Sequence, residues 1–164
     1  VLFLQQANEA GYKPLAIIGG GGGYSMQPTA DAVGHDVIDG VFDVDFTQYA
    51  VNTEATPGLQ EFVDAYKAKY NSEPRSGHSL NNYVGAKAIF EALNAGEGFE
   101  PDQIVAAAKG LDIADGKTAA GYGVKFGTNN QNERASMMGM QWQDGKLVTV
   151  YPEKAAVTEM RFKK

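Results

Sequence analysis

The sequence predicts an α/β fold, and three observations carry that prediction. Leu15 to Ile18 is a short continuous apolar run broken at once by five glycines, Gly19 to Gly23, the pattern of a buried parallel strand leaving its sheet. Leu59, Phe62, Val63, Tyr66 and Tyr70 recur at i, i+3, i+4, i+7 and i+11, the stripe of an amphipathic helix. Asp144-Gly145 separates the alternation of Met138, Met140 and Trp142 from the β-forming run Leu147 to Tyr151, which is a two-residue hairpin signal.

Each element follows in order. Leu2, Phe3 and Ala7 mark one side of an opening helix, which Gly11 and then Pro14 bring to an end. The chain starts in mid-helix, with no Met, cap or leader ahead of it, so it is expected to begin inside a larger protein. After the strand at 15–18, a short helix fits Met26 to Val33, with Ser25 as its N-cap and Gly34 as its stop. Val37 to Phe46 alternates β-branched and aromatic residues and is read as a second strand of the same sheet. Thr56 and Pro57 suit the N-cap and first turn of the striped helix.

A further helix is expected from about Ser79 to Leu93, with Tyr83, Ala86, Phe90 and Leu93 as its apolar stripe. Glu100-Pro101-Asp102-Gln103 opens another that ends near Gly110, its acidic residues at the positive end of the helix dipole. From Gly121 the pattern turns to β: Tyr122 to Phe126, a polar bend at Thr128 to Asn132, then the hairpin. The cluster of Met137, Met138, Met140 and Trp142 is expected in the core, because its alternation matches a half-buried strand.

Composition excludes several classes of function. Hydrophobic residues at 43% and charged residues at 21% of 164 fit a packed globular protein. The net charge of −6, with no local Lys/Arg cluster, lacks the basic field that a phosphate backbone requires, so no nucleic-acid partner is expected. There is no Cys, and His35 and His78 are the two His residues, far apart in the chain. Thiolate chemistry, disulfides and the usual zinc spacings therefore find no support, and no cofactor or metal is expected. No apolar run approaches the ~18–20 residues that span a bilayer.

Three groups of residues are candidates for a site. Gly20, Gly21 and Gly22, with Tyr24 and Ser25, leave the carboxyl end of a strand and enter a helix, where backbone amides can approach a ligand closely. No Lys-Ser/Thr follows, so this is not a P-loop, and the G-x-G-x-x-G register from Gly19 ends on Tyr24. The competing reading is a tight crossover that needs positive φ. Asp43, Asp45, Phe46 and Tyr49 lie at the end of the second strand. Either carboxylate can hold an ammonium group, or provide hinge polarity, or simply face water; nothing beside them completes an acid–base pair. His78 and Tyr83 open the long helix, where a ligand contact competes with ordinary capping by Ser79 and a core role for Tyr83.

Four segments carry a family resemblance: Ala16-Ile17-Ile18-Gly19-Gly20-Gly21-Gly22-Gly23-Tyr24-Ser25, Gly40-Val41-Phe42, Glu61-Phe62-Val63-Asp64-Ala65-Tyr66-Lys67-Ala68-Lys69-Tyr70, and Gln141-Trp142-Gln143-Asp144-Gly145-Lys146-Leu147-Val148-Thr149-Val150-Tyr151-Pro152. They resemble the C-terminal half of a branched-chain amino acid type ABC-transporter substrate-binding protein, with a type I periplasmic-binding fold. The resemblance implies parts of two lobes with parallel sheets flanked by helices, plus a C-terminal β-hairpin. It implies residues 1–45 in the second lobe, a hinge crossing at 46–52, residues 53–126 in the first lobe, a second crossing at 127–141, and a return to the second lobe at 142–164.

It further implies a periplasmic solute-binding component, not an enzyme, that closes around a small polar solute and delivers it to a membrane permease. In amino-acid-binding relatives an acidic residue after the strand matching Ala16–Gly19 receives the ligand ammonium. That place falls within Gly20–Gly22 here, which leaves carboxylates, amides and other small solutes open beside amino acids. The family's Asn-Gly-Gln-Asn motif stands as Asn129-Asn130-Gln131-Asn132, and Asn tolerates the left-handed conformation that glycine would take. An α/β enzyme using the glycine loop for an anionic substrate and a ligand-sensing receptor domain are the competing readings. Split lobes would leave strand edges open, so the missing N-terminal half is expected as a second polypeptide, across an interface of well over ~2,000 Å².

Overall fold

The computed structural model describes residues 1–162. These divide into two compact units, one of residues 1–52, 75–77 and 137 onward, the other of residues 53–74 and 78–136.

The first unit is an α/β layer structure. Its helices are α1 (Leu2–Glu9), α2 (Gln27–Val33) and α3 (His35–Ile38), and its strands are β1 (Ile18–Gly20), β2 (Phe42–Asp45), β3 (Met138–Gln143) and β4 (Lys146–Tyr151). The strands form a mixed sheet in the order β1-β2-β3-β4. Only the β1/β2 pair is parallel, with Gly19 opposite Asp43; the β2/β3 and β3/β4 pairs are antiparallel. The sheet is therefore mixed, where parallel sheets were expected, because the hairpin strand β3 docks directly beside β2. Leu4, Ala30, Val33, Ile38, Val41 and Trp142 form the core, with Tyr24, Ile17, Val37 and Leu147 packed against it.

Backbone conformation explains most shifts from the sequence reading. The strand expected at 15–18 lies at Ile18–Gly20, so the first glycines are inside the ladder and not after it. The expected strand 37–46 is split: Gly34 and Gly40, at φ 91° and 80°, bracket a helical turn that turns Ile38 into the core, and only Phe42–Asp45 pairs. The helix after β1 has Met26 as its N-cap, not Ser25, whose hydroxyl is engaged elsewhere. The hairpin forms as read, with Asp144 and Gly145 at φ 52° and 76°, the double positive φ of a type I′ turn. Met138, Met140 and Trp142 are buried, but Met137 precedes the strand and is exposed.

The second unit contains α4 (Leu59–Tyr70), α5 (Gly77–Ala95, from His78 on) and α6 (Pro101–Lys109). Leu59, Phe62 and Val63 bury the striped face of α4, and Phe62, Tyr66 and Tyr70 continue as a ladder of rings at 5.9 and 4.6 Å. Gly58, in the left-handed region, caps α4 in place of the expected Thr56, which is buried just upstream. In α5 the buried positions are Leu80, Val84, Ala88 and Ala92, one ridge at four-residue spacing; the expected Phe90 is 62% exposed. Its small Ala residues allow close helix approach, which a stripe of bulkier rings would prevent. Glu100 and Gln103 close a reciprocal capping box at the start of α6.

The strand expected at Tyr122–Phe126 is absent among the described residues. Val124 makes an isolated bridge with Ile113, and Phe126 one with Asn132. Gly121, at φ 82°, turns the chain before any ladder can extend. The bend at 129–132 is held by its own amides: Asn130 takes φ 63°, and the Asn132 carboxamide accepts from Lys125 N–H and Arg134 N–H while donating to the Gly123 carbonyl.

Candidate functional site

β1 ends at Gly20, and the glycine run continues beyond it into a turn. Gly21 and Gly22 have φ 77° and 82°, a conformation that L side chains rarely adopt, and Gly21 N–H still donates to the Val44 carbonyl at 3.0 Å. A Cβ at Gly20, Gly21 or Gly23 would meet nothing within 4 Å, so the turn presents bare backbone to its surroundings. Gly19 is different. A Cβ there would collide with the Tyr24 ring and come within 2.7 Å of Asp43 Oδ1, so this glycine is required for close packing.

The turn is tied down at its far end. Ser25 Oγ donates to Asp45 Oδ2 at 2.8 Å, and Thr29 Oγ1 donates to the Gly23 carbonyl at 2.7 Å. Trp142 Nε1–H donates to the Tyr24 carbonyl at 2.6 Å, joining the hairpin strand to the turn. Gln141 and Gln143, on the opposite face of β3 from Trp142, hold the C-terminal segment: Gln141 Nε2 donates to the Arg161 carbonyl and Gln143 Nε2 to the Glu159 carbonyl. The Gln-Trp-Gln run thus has a structural purpose on both faces of the strand.

Asp43 and Asp45 are both buried, which removes the solvated-surface reading of this pair. Asp45 is satisfied, accepting from Ser25 Oγ and from Phe46 N–H at 2.7 Å. Asp43 is 0% exposed, and no hydrogen bond of good geometry reaches its oxygens, although Ser25 and Val44 lie close enough to act on it. Burial pushes its carboxyl above the usual carboxylate range, hydrogen bonding from Ser25 and from the Val44 backbone opposes this, and the Asp45 charge adds to it.

The structure brings Gly20, Gly21, Gly22, Tyr24, Ser25, Asp45 and Phe46 together in the first unit. Tyr24 also packs against the core cluster there. His78 and Tyr83 belong to the second unit. His78 is exposed, and its carbonyl accepts from Asn82 Nδ2. Tyr83 packs on Phe62 at 4.8 Å with Lys87 Nζ at 5.6 Å from its ring, the core role that competed with ligand contact. Asp43 was legible only as one of a pair; which of the two carboxylates the Ser25 hydroxyl reaches is not specified by spacing.

Residues 1–146 match the family described as "Periplasmic binding protein". The chain belongs to the periplasmic binding protein family. Among curated periplasmic binding protein relatives, Leu/Ile/Val-binding protein homolog 8 of Brucella abortus (strain 2308) is 87% identical over 164 residues, covering 100% of this chain and 41% of that protein. Leu/Ile/Val-binding protein homolog 7 of Brucella suis biovar 1 (strain 1330) is 71% identical over 161 residues, covering 98% and 40%. This periplasmic binding protein chain thus spans about two fifths of the length of those relatives.

Solved structures of the same fold include the branched-chain amino acid transporter substrate binding protein LivJ from Streptococcus pneumoniae in complex with isoleucine, with TM-score 0.68 and 19% identity over 98% of this chain and 41% of that one. An ABC transporter substrate-binding protein from Desulfitobacterium hafniense has TM-score 0.69 and 19% identity, covering 91% and 39%. The type I periplasmic-binding fold read from the sequence is the observed one.

Proposed function

We propose that this chain is part of the solute-binding component of an ABC importer, which captures a small polar solute between two lobes in the periplasm and hands it to a membrane permease. Membership in the periplasmic binding protein family supports the solute-binding role, and the names of the Brucella and LivJ relatives favour an amino acid, with amides and small carboxylates as the other solutes to test. The observation that carries the site is the Gly20–Gly22 turn, bare backbone at the carboxyl end of a parallel strand. Tyr24, Ser25, Asp45 and Phe46 belong to the same proposed site; His78 remains a candidate contact in the second unit. Segments 46–52 and 127–141 act as hinge crossings, a reading supported by the passage of the chain from one compact unit to the other at 52/53 and 136/137. The rest of the protein supplies the remaining strands.

The test is a thermal-shift screen of the full-length protein against amino acids, amides, aliphatic and aromatic carboxylates and nucleotides. Saturable stabilisation by an amino acid, amide or carboxylate, with the solute recovered unchanged, is the expected result. Conversion of the solute, or stabilisation by nucleotides alone, contradicts the reading.

A further inference from the structure

The chain passes between its two units at more places than 52/53 and 136/137. Residues 75–77 belong to the first unit, although residues 53–74 before them and 78–136 after them belong to the second. They end the connection from α4 to α5, and Gly77 is already the first residue of α5. The connection therefore has slack on one side alone. Asn71 to Pro74 reach at most about 14 Å from the end of α4 to Arg75, whereas α5 leaves Gly77 as a helix, with no extensible chain between.

Within the first unit this segment is fixed to the 46–52 crossing. Tyr49 Oη donates to the Ser76 carbonyl at 2.7 Å. A Cβ on Gly77 would stand 2.6 Å from the Thr47 carbonyl oxygen, 2.7 Å from Gln48 Nε2 and 3.1 Å from the Phe46 carbonyl oxygen. Two of these are backbone atoms that cannot swing aside, so only glycine lets the segment lie this close. The crossing is held from the hairpin side as well, where Thr149 N–H donates to the Ala50 carbonyl at 3.0 Å and Asn52 N–H to the Ala155 carbonyl at 2.9 Å. Thr47, Gln48 and Val51 are buried there. A close-packed segment clamped on both sides does not bend along its length, and rotation falls to the residues where the clamp ends.

We propose that Arg75–Gly77 is a strap that ties the second unit to the clamped crossing, and that Gly77 is the pivot about which the second unit turns. This rests on the two-lobe, solute-binding reading above and adds to it a fixed point of rotation at the start of α5. Gly77 is a positioning residue that acts through its backbone contacts. A strap with no slack on the α5 side confines the solute-free protein to a narrow range of distances between the lobes, and loosening the strap widens that range.

The experiment is pulsed electron–electron resonance on the full-length protein, with spin labels at Asp36→Cys in the first unit and Asp102→Cys in the second, both exposed positions, in a background without other free thiols. Unmodified strap, Tyr49→Phe and Gly77→Ala are compared without solute and with L-leucine or L-phenylalanine in excess, and amide exchange is followed in the same proteins. The unmodified strap should give a narrow distance distribution. Tyr49→Phe, which removes one hydrogen bond, should speed amide exchange at 46–52 and 76–79 by about 2- to 10-fold, leave β3, β4 and the middle of α5 unchanged, and widen the distance distribution about twofold. Gly77→Ala, which pushes the strap off the crossing, should widen it further.

Faster exchange at 46–52 and 76–79 with an unchanged distance distribution overturns the proposal, since the strap is then released without freeing the second unit. Exchange equal to wild type in both variants overturns it as well, as does a wild-type distribution as broad as that of Gly77→Ala. Should Gly77→Ala fail to fold, Tyr49→Phe alone decides. The solute-binding reading fails separately: widened distributions in the solute-free variants, with label distances that neither amino acid shifts, support the pivot and count against closure around these solutes.

Discussion

At the scale of the residue, Trp142 joins the hairpin strand to the turn. Trp142 fills the core and caps the Tyr24 carbonyl, so Trp142→Phe should cost about 1–3 kcal/mol through the orphaned carbonyl, read from chemical denaturation followed by circular dichroism. Replacing Gly21 or Gly22 by Val forces a β-branched residue to positive φ and puts a side chain on the turn proposed to receive the solute. Solute-induced stabilisation should vanish in both variants with helix content nearly unchanged; undiminished stabilisation would remove the turn from the site. Asp43 has a signature in the solute-free protein too. Its folded carboxyl sits above its unfolded value, so its contribution is fully present below the unfolded value and is lost as pH rises through the folded one. Asp43→Asn should therefore be more stable than wild type at neutral pH, and the advantage should shrink as pH falls through the acidic range. A gap independent of pH would mean that burial does not raise the Asp43 carboxyl. The sequence made the glycines and both aspartates legible as a candidate site, but not that Ser25 donates to Asp45, because that is decided by a single hydroxyl rotamer twenty residues away.

At the scale of the element, local signals succeeded where the backbone alone dictates geometry. Asp144-Gly145 specifies a type I′ turn, and Gly145→Ala, placing a Cβ at φ 76° and 3.3 Å from the His35 ring, should destabilise the protein by about 1 kcal/mol in a denaturation midpoint. The Glu100/Gln103 box behaves the same way: Glu100→Ala should cost about 1 kcal/mol and raise amide exchange in the first turn of α6 before any global change. Signals failed where packing chose among alternatives. Val37 and Ile38 have strong β preference, yet Gly34 and Gly40 release the chain into a helical turn that buries Ile38 more fully. Likewise α5 contains two apolar ridges, and the one with Ala88 and Ala92 is buried while Ile89 and Phe90 stay exposed.

At the scale of the whole molecule, α/β class, the C-terminal hairpin and the family were legible from four stretches of sequence. The mixed character of the sheet was not, since it depends on β3 pairing with β2 nearly a hundred residues earlier. The proposed hinge crossings at 46–52 and 127–141 imply lobe closure, so small-angle scattering of the full-length protein should give a smaller radius of gyration with saturating solute; identical profiles would argue against closure. The most direct test of the central claim is equilibrium dialysis of the full-length protein against radiolabelled L-leucine and L-phenylalanine, with the bound material then recovered and identified by mass spectrometry. The account predicts saturable, one-to-one retention of an unaltered solute, lost in Gly21→Val. Retention of neither amino acid, or recovery of a chemically changed product, would contradict it.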